Sequence, residues 1–200
     1  MDFTIIPAQP EHFRILRAIE LAAFETLRSA GAVTGHASAN SLEELSDFFH
    51  NGLLLAACTP DSAPVGFAAG RIEDTWLHVA ETDVHPDWQR HGIGRQLMLT
   101  ILSAGQQRGL TGATLTTDNQ AVFNARFYAS LGFKIVEGHE RPSHLVSLNA
   151  AEIASGFDPA RRVTMKLTFS VIHDGVISGL RTAVFFGSNG HISCGRVVCQ

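Results

Sequence analysis

Between residues 53 and 84 the chain places three strand-length runs, 53–58, 65–72 and 76–84, separated only by TPDSAP and by Glu73-Asp74. Pro60 and Asp61 supply preset φ and side-chain caps for the first turn. Strands joined by links this short have to run antiparallel. The third run leads instead into HPDWQRHGIGRQL (residues 85–97) and a helix with Leu97, Met98, Ile101 and Leu102 on one side. Gly109 and Gly112 stop that helix, and 113–117 reads as the next strand. Hairpins followed by a strand–helix–strand crossover predict an α/β (α+β) chain with a mixed, mostly antiparallel central sheet.

The remaining elements extend that sheet. A β-prone run at 3–6 ends at Pro7. From 10 to 28, Phe13, Leu16, Ile19, Ala23, Phe24 and Leu27 recur at three- and four-residue steps, the period of an amphipathic helix. Ser41 and Glu44 form a capping box for a second helix, LEELSDFFH, closed by Asn51-Gly52. A helix over 122–131 with Gly132 as its breaker, a strand at 133–136 and a closing strand at 162–170 complete the expected order, with about four helices around the sheet.

Composition narrows the function classes. Hydrophobic residues make up 45% and charged residues 17%, which suits a packed domain rather than a disordered chain. A net charge of −4 without a basic stripe gives no nucleic-acid footprint. No run approaches the roughly 20 apolar residues of a membrane span, and MDFTIIPAQPEHF lacks the pattern of a signal peptide. The reading is therefore of a cytoplasmic protein with neither nucleic acid nor membrane as partner. Cys58, Cys194 and Cys199 form no disulfide framework, and the ten histidines show no zinc-site spacing, so no metal is expected.

The loop at 85–97 carries the chemistry. A helix start offers unpaired N–H groups and a partial positive charge. Gly92 and Gly94 remove Cβ atoms, so an anion can approach bare backbone. Arg90, His91 and Arg95 add donors around the same point. The pattern is a pyrophosphate cradle, yet no G-K-[ST] follows and the third glycine of GxGxxG is missing. Alone, it equally describes a glycine-containing helix start with solvated charges.

The spacing Gln89-x-x-Gly92-x-Gly94, preceded by Val84-x-Pro86, resembles the acyl-CoA loop of the GNAT superfamily of N-acyltransferases. Some 30 residues downstream, Asn124-Ala125-Arg126-Phe127-Tyr128-Ala129-Ser130-Leu131-Gly132-Phe133 is similar to that superfamily's Asn-x-x-x-Tyr-x-x-x-Gly-Phe pattern. The resemblance covers roughly residues 3–169, the N-terminal third by element order alone. It implies a sheet splayed in its middle and acetyl-CoA as cosubstrate. The backbone from Gln89 through Arg90, His91, Gly92, Ile93 and Gly94 to Arg95 would bind the pyrophosphate. Val84 would pair with the pantetheine arm as an added strand does, Asn124 would hydrogen-bond that arm, and Tyr128 would sit near the thioester sulfur.

Acyl transfer to nitrogen sets its own demands. A lysine-like amine of pKa about 10.4 is neutral only to a few parts in ten thousand at pH 7, so a base helps it. A departing thiolate takes a proton from a neighbouring phenol, and the oxyanion formed on attack needs a backbone donor such as Val84. Tyr128 is the only tyrosine, and the resemblance puts it at the general-acid position; its other reading is a packing residue. Glu81 is the leading base, with Asp83, His78, His85 or water as alternatives. Strict alternation would put Leu77, Val79, Glu81 and Asp83 on one face of their strand and His78, Ala80, Thr82 and Val84 on the other.

The acceptor side is open between a binding role and a solvated surface. Glu137, Glu140, Arg141 and His144 in EGHERPSHLVSL border it in the resemblance, and Glu20 and Glu25 on the first helix are similarly ambiguous. Asp158, Arg161 and Arg162 read as structural. No cysteine lies near the loop or Tyr128, which favours direct attack on a small-molecule or peptide amine over an acyl-enzyme. Residues 170–200, glycine-rich and almost uncharged, read as an extension to a 1–169 domain: an added hairpin, a tail or non-native sequence. A second copy of the chain is a candidate partner. An acyl-CoA sensor without catalysis, or a structural domain without cofactor, are the competing functions.

Overall fold

The computed structural model describes residues 1–29, 37–119, 124–154 and 158–170. Seven strands form one sheet: β1 (Thr4–Pro7), β2 (Leu53–Cys58), β3 (Pro64–Glu73), β4 (Trp76–Val84), β5 (Gly112–Asp118), β6 (Lys134–Ile135) and β7 (Arg162–Thr168). Five α-helices flank it: α1 (Phe13–Ser29), α2 (Leu42–Asn51), α3 (Ile93–Gln107), α4 (Asn124–Ala129) and α5 (Ser143–Ala154). The strand order is β1-β2-β3-β4-β5-β7-β6, antiparallel throughout except for the β4–β5 pair.

Both faces of the sheet are covered. On one, Leu97, Met98 and Ile101 of α3 pack on Leu53, Leu55, Ala68, Leu77 and Val79. On the other, Leu16 and Ile19 of α1 and Leu45 and Phe48 of α2 pack on Leu54, Ala56, Phe67 and Ala69. Each of these larger side chains contributes roughly 1.5–3 kcal/mol on burial. Coverage on both sides explains why β2 reads LLLAAC without polar alternation: all six residues are buried. The Ser41 hydroxyl accepts from the Glu44 N–H at 3.1 Å and the Glu44 carboxylate accepts from the Ser41 N–H at 2.7 Å, so the capping box forms as written.

Two features of β4 shape the site. Gly70 pairs with Val79 and Ala69 with Glu81, leaving Ala80 as an extra residue, a β-bulge. The bulge overturns strict alternation. Val79 belongs to the α3 core and Ala80 packs on the α1–α2 core. Beyond it, Glu81 lies opposite Ala69 and Asp83 opposite Phe67, so both acids share the α1–α2 side with His78 rather than with Leu77. Thr82 and Val84 move to the α3 side, where the Thr82 hydroxyl reaches Met98 Sδ at 3.1 Å.

The second feature is divergence. β4 and β5 pair only from Trp76–Gly112 to His78–Thr114. Past that point β4 stays on β3 as far as Val84, and β5 stays on β7 as far as Asp118. The sheet is splayed between Val79–Val84 on one side and Leu115–Asp118 on the other.

A fifth helix stands beside the roughly four expected. The segment EGHERPSHLVSL enters it: from Ser143 the chain is α5, packed on β5 and β7. Its weak amphipathicity hid it, for Leu145 is buried while Val146 and Ile153 stay exposed. Pro7 is the last residue of β1 and ends it as expected, a place that an edge strand permits. The compact unit spans Met1–Phe169; beyond Ser170 the expected extension lies outside the described residues.

Candidate active site

The loop after β4 turns through Pro86–Trp88, a short 3-10 segment held by the Trp88 N–H on the His85 carbonyl at 2.8 Å. Left-handed residues at Arg90 (φ 63°) and Gly92 (φ 80°) then bring the chain into α3. Gly92 is the residue before the helix, and its carbonyl takes the first helical bond from the Gln96 N–H at 3.0 Å. The N–H groups of Ile93, Gly94 and Arg95 therefore precede the helical ladder. A Cβ on Gly92 would meet nothing within 4 Å, and one on Gly94 only Val84 Cγ2 at 3.7 Å. The space beside these amides is open, which is what a bound pyrophosphate needs. Arg90, His91 and Arg95 are exposed around it. Arg95 Nη1 donates to Ser130 Oγ at 3.1 Å, tying the helix start to the end of α4.

Val84 sits where the loop meets the splayed edge. The His85 N–H bonds the Val65 carbonyl at 2.9 Å, so the neighbouring Val84–Gly66 pair is a non-hydrogen-bonded one. The Val84 N–H and C=O consequently point away from β3, toward the gap. Its carbonyl accepts from Gln89 Nε2 at 3.1 Å. Gln89 thus braces the strand end, and the Val84 N–H is left facing the side on which an extended arm would lie. These residues fit an acyl-CoA: an N–H edge for the amide-bearing arm and helix-start amides for its phosphates.

Tyr128 lies on α4, half-buried, with its ring edge-on to Phe127 and Phe133 at 5.2 and 6.1 Å. Burial raises its hydroxyl pKa, and the carboxylates of Asp83 and Glu81 are near enough to raise it further. It is a neutral phenol at physiological pH. Asn124 opens the same helix; its side chain lies outside the described residues.

Glu81 and Asp83 face α1. Burial, then the charges of Asp83 and Glu20, push Glu81 well above the usual carboxylate range. Burial and Glu20 bring Asp83 up to about 7. Glu20 itself is raised by burial, against the hydrogen bonds it accepts from the Asn40 backbone N–H and Nδ2, at 3.0 and 2.9 Å. Arg17 Nε donates to the Asn40 carbonyl at 2.7 Å and fixes that loop end on α1. The charges of Glu81 and Asp83 thus act on Tyr128, and that of Glu20 on both acids, whereas Glu25 pairs with Arg28 at 2.9 Å on the surface.

The histidines take other places. His78 is 2% exposed, in the paired part of β4, with Nδ1 on Thr114 Oγ1 at 3.2 Å. Burial and the neighbouring His144 lower its pKa to about 4, so it is neutral. Thr114 Oγ1 also meets His144 Nε2 of α5 at 2.9 Å. His85 is half-buried and accepts from the Asp87 N–H at 3.4 Å, within the turn. Glu137 and Glu140 are exposed. Arg162 bonds Glu152 of α5, with Nε on Oε2 at 2.8 Å, and Thr116, knitting β5, β7 and α5 together. Asp158 caps the turn into β7, accepting from the Ala160 N–H at 2.9 Å. Asn40, Thr114 and Thr116 had no sequence signal, because their roles depend on contacts across 20 or more residues.

Among the described residues no group of three or more His, Cys, Asp or Glu is placed to hold a metal ion, and no helix is long and apolar enough to cross a membrane.

Comparison with known proteins agrees with this geometry. Residues 51–135, the segment from the end of α2 to β6, match the family described as acetyltransferase (GNAT) domain. Among solved structures, the PaiA N-acetyltransferase from Thermoplasma acidophilum, in complex with coenzyme A, is similar at TM-score 0.65 and 17% identity, over 84% of this chain and 100% of its own. The ribosomal-protein-S18-alanine N-acetyltransferase from Escherichia coli is similar at TM-score 0.62 and 17% identity, over 88% of this chain and all of its own. The N-acetylglutamate synthase from Neisseria gonorrhoeae, complexed with coenzyme A and N-acetyl-glutamate, is similar at TM-score 0.62 and 18% identity, over 84% of this chain and 35% of its own. At these identities the likenesses concern the fold alone. The family match thus covers the segment that carries the glycine loop and the Tyr128 motif, residues 51–135, and the solved structures share the fold around it.

Proposed function

We propose that the domain formed by residues 1–169 is an acetyl-CoA-dependent N-acetyltransferase that moves the acetyl group directly to a primary amine in a ternary complex. The observation that carries this reading is the meeting of two carboxylates and one phenol at the splayed edge of β4, beside an open helix-start loop. Acetyl-CoA supplies the activated acetyl group. Gln89 to Arg95 hold its pyrophosphate, and Val84 and Asn124 hold its arm.

The Glu81–Asp83 pair takes the amine's proton. Carboxylates raised toward neutrality exchange protons with an amine far more readily than ordinary ones. A backbone N–H on the gap side of β4 donates to the acetyl oxygen as charge builds on it. Tyr128 then gives its proton to the departing sulfur. The order of events helps, because the charges on Asp83 and Glu81 hold the phenol's proton in place. Once the pair has accepted the amine's proton, that hold weakens and the phenol becomes the better acid.

Thiol release from acetyl-CoA across a panel of primary amines tests the proposal. At least one amine is expected to accelerate release well above hydrolysis, and Tyr128→Phe is expected to lower kcat about 10²- to 10³-fold with little change in acetyl-CoA affinity. An unchanged kcat in that variant would remove Tyr128 from the mechanism. Acetyl-CoA binding without acceleration by any amine would favour the sensor reading.

A further inference from the structure

The acceptor side carries more carboxyl groups than proton transfer requires. Glu81 and Asp83 project from the same side of β4 toward α1, and Glu20 projects from α1 close enough for its charge to act on both. None of the three takes part in a salt bridge among the described residues. The cations whose charges reach the cluster are hydrogen-bonded to other groups: Arg17, which acts on Glu20, donates to the Asn40 carbonyl, and Arg162, which acts on Glu81, is bound to Glu152 and Thr116.

A separate observation marks the cluster as a binding site rather than a solvated acidic surface. Asp83 Oδ2 is completely enclosed and has no hydrogen-bond partner, although it faces Glu20 at the splayed edge. An enclosed carboxylate oxygen of this kind is costly unless a donor or a cation reaches it. Asn40, meanwhile, holds Glu20 in place through two donors, at 3.0 and 2.9 Å. A carboxylate pinned by its neighbours beside two others is preorganised for a positive group.

We propose that the acceptor is a small aliphatic diamine, whose reacting amine lies against Glu81 at the gap while its second, protonated amine is held between Glu20 and Asp83. This rests on the acetyltransferase reading and narrows its acceptor. A monoamine leaves the enclosed Asp83 oxygen without a donor, and an α-amino acid brings a carboxylate into a cluster that repels it. Glu20 is therefore a specificity-determining residue rather than a catalytic one.

Steady-state acetylation of an unbranched α,ω-diamine is compared with that of the monoamine of equal chain length and of an α-amino acid. The unaltered protein is expected to favour the diamine by at least tenfold in kcat/KM, through KM rather than kcat. Glu20→Gln, which preserves an oxygen for the Asn40 donors, is expected to cut that preference about tenfold while acetyl-CoA affinity stays within twofold; Glu20→Asp restores part of it. Equal use of diamine and monoamine, preference for the amino acid, or a preference unmoved in Glu20→Gln would overturn the assignment. If acetyl-CoA binds and no amine is acetylated, the catalytic reading fails by itself. In that case thermal stabilisation of the coenzyme A complex by the diamine, absent with the monoamine and lost in Glu20→Gln, still supports the cation site, and its absence overturns it.

Discussion

At the residue scale, Asp83 links stability to activity through one proton. Its carboxyl stands at about 7 in the fold against an ordinary 3.8, chiefly because of burial. The folded protein therefore binds this proton more tightly than the unfolded chain between roughly pH 4 and 7, and stability falls as pH rises through that window. Three pH units correspond to a ceiling of about 4 kcal/mol; with partial exposure and sharing with Glu81, about 1–2 kcal/mol is expected. Asp83→Asn should gain that much at pH 8 in denaturant melts and nothing near pH 4. In the same variant, Glu81 loses a like-charged neighbour, so the acid limb of the kcat/KM profile should shift to lower pH. An acid limb that stays in place would take the pair out of the proton transfer. Tyr128 was visible in the sequence because it is the single tyrosine inside a spaced motif. Asn40 and Glu20 were not legible as a pair, since they meet only through a contact across 20 residues.

At the scale of elements, β4 is the part that sequence periodicity described least well. Its ends are Trp76 and Val84, as the apolar run implies, yet one extra residue at Ala80 turns Glu81 and Asp83 to the opposite face. A bulge has no residue signature here, because alanine and valine suit either side of it. α5 escaped for a related reason: SHLVSLNAAEIA lacks a clean apolar stripe, and its helix is held by contacts to β5 and β7. The glycine loop was legible as a ligand-approach feature, and its two glycines now separate by role. Gly92 has φ 80°, so Gly92→Ala should cost roughly 1–2 kcal/mol of stability. Gly94 has ordinary backbone and room for a methyl group. Gly94→Ala should fold with an unchanged melting temperature and bind acetyl-CoA at least tenfold more weakly. Retained affinity in Gly94→Ala would mean that the phosphates lie elsewhere.

For the whole molecule, element order was enough to anticipate a mixed sheet, because hairpins and a single crossover leave few topologies. The placement of β7 between β5 and β6 follows from long-range pairing that no local run encodes. The split between β4 and β5 is likewise a property of the assembled sheet: each strand keeps its other neighbour and abandons this one. That split, with the α3 amides at its mouth, is the central claim. Calorimetric titration of the protein with acetyl-CoA tests it most directly. One acetyl-CoA is expected to bind per chain, with desulfo-CoA retaining most of the affinity and adenosine losing it along with the pyrophosphate and arm. Absence of binding at saturating acetyl-CoA, or equal affinity for adenosine, would contradict the account.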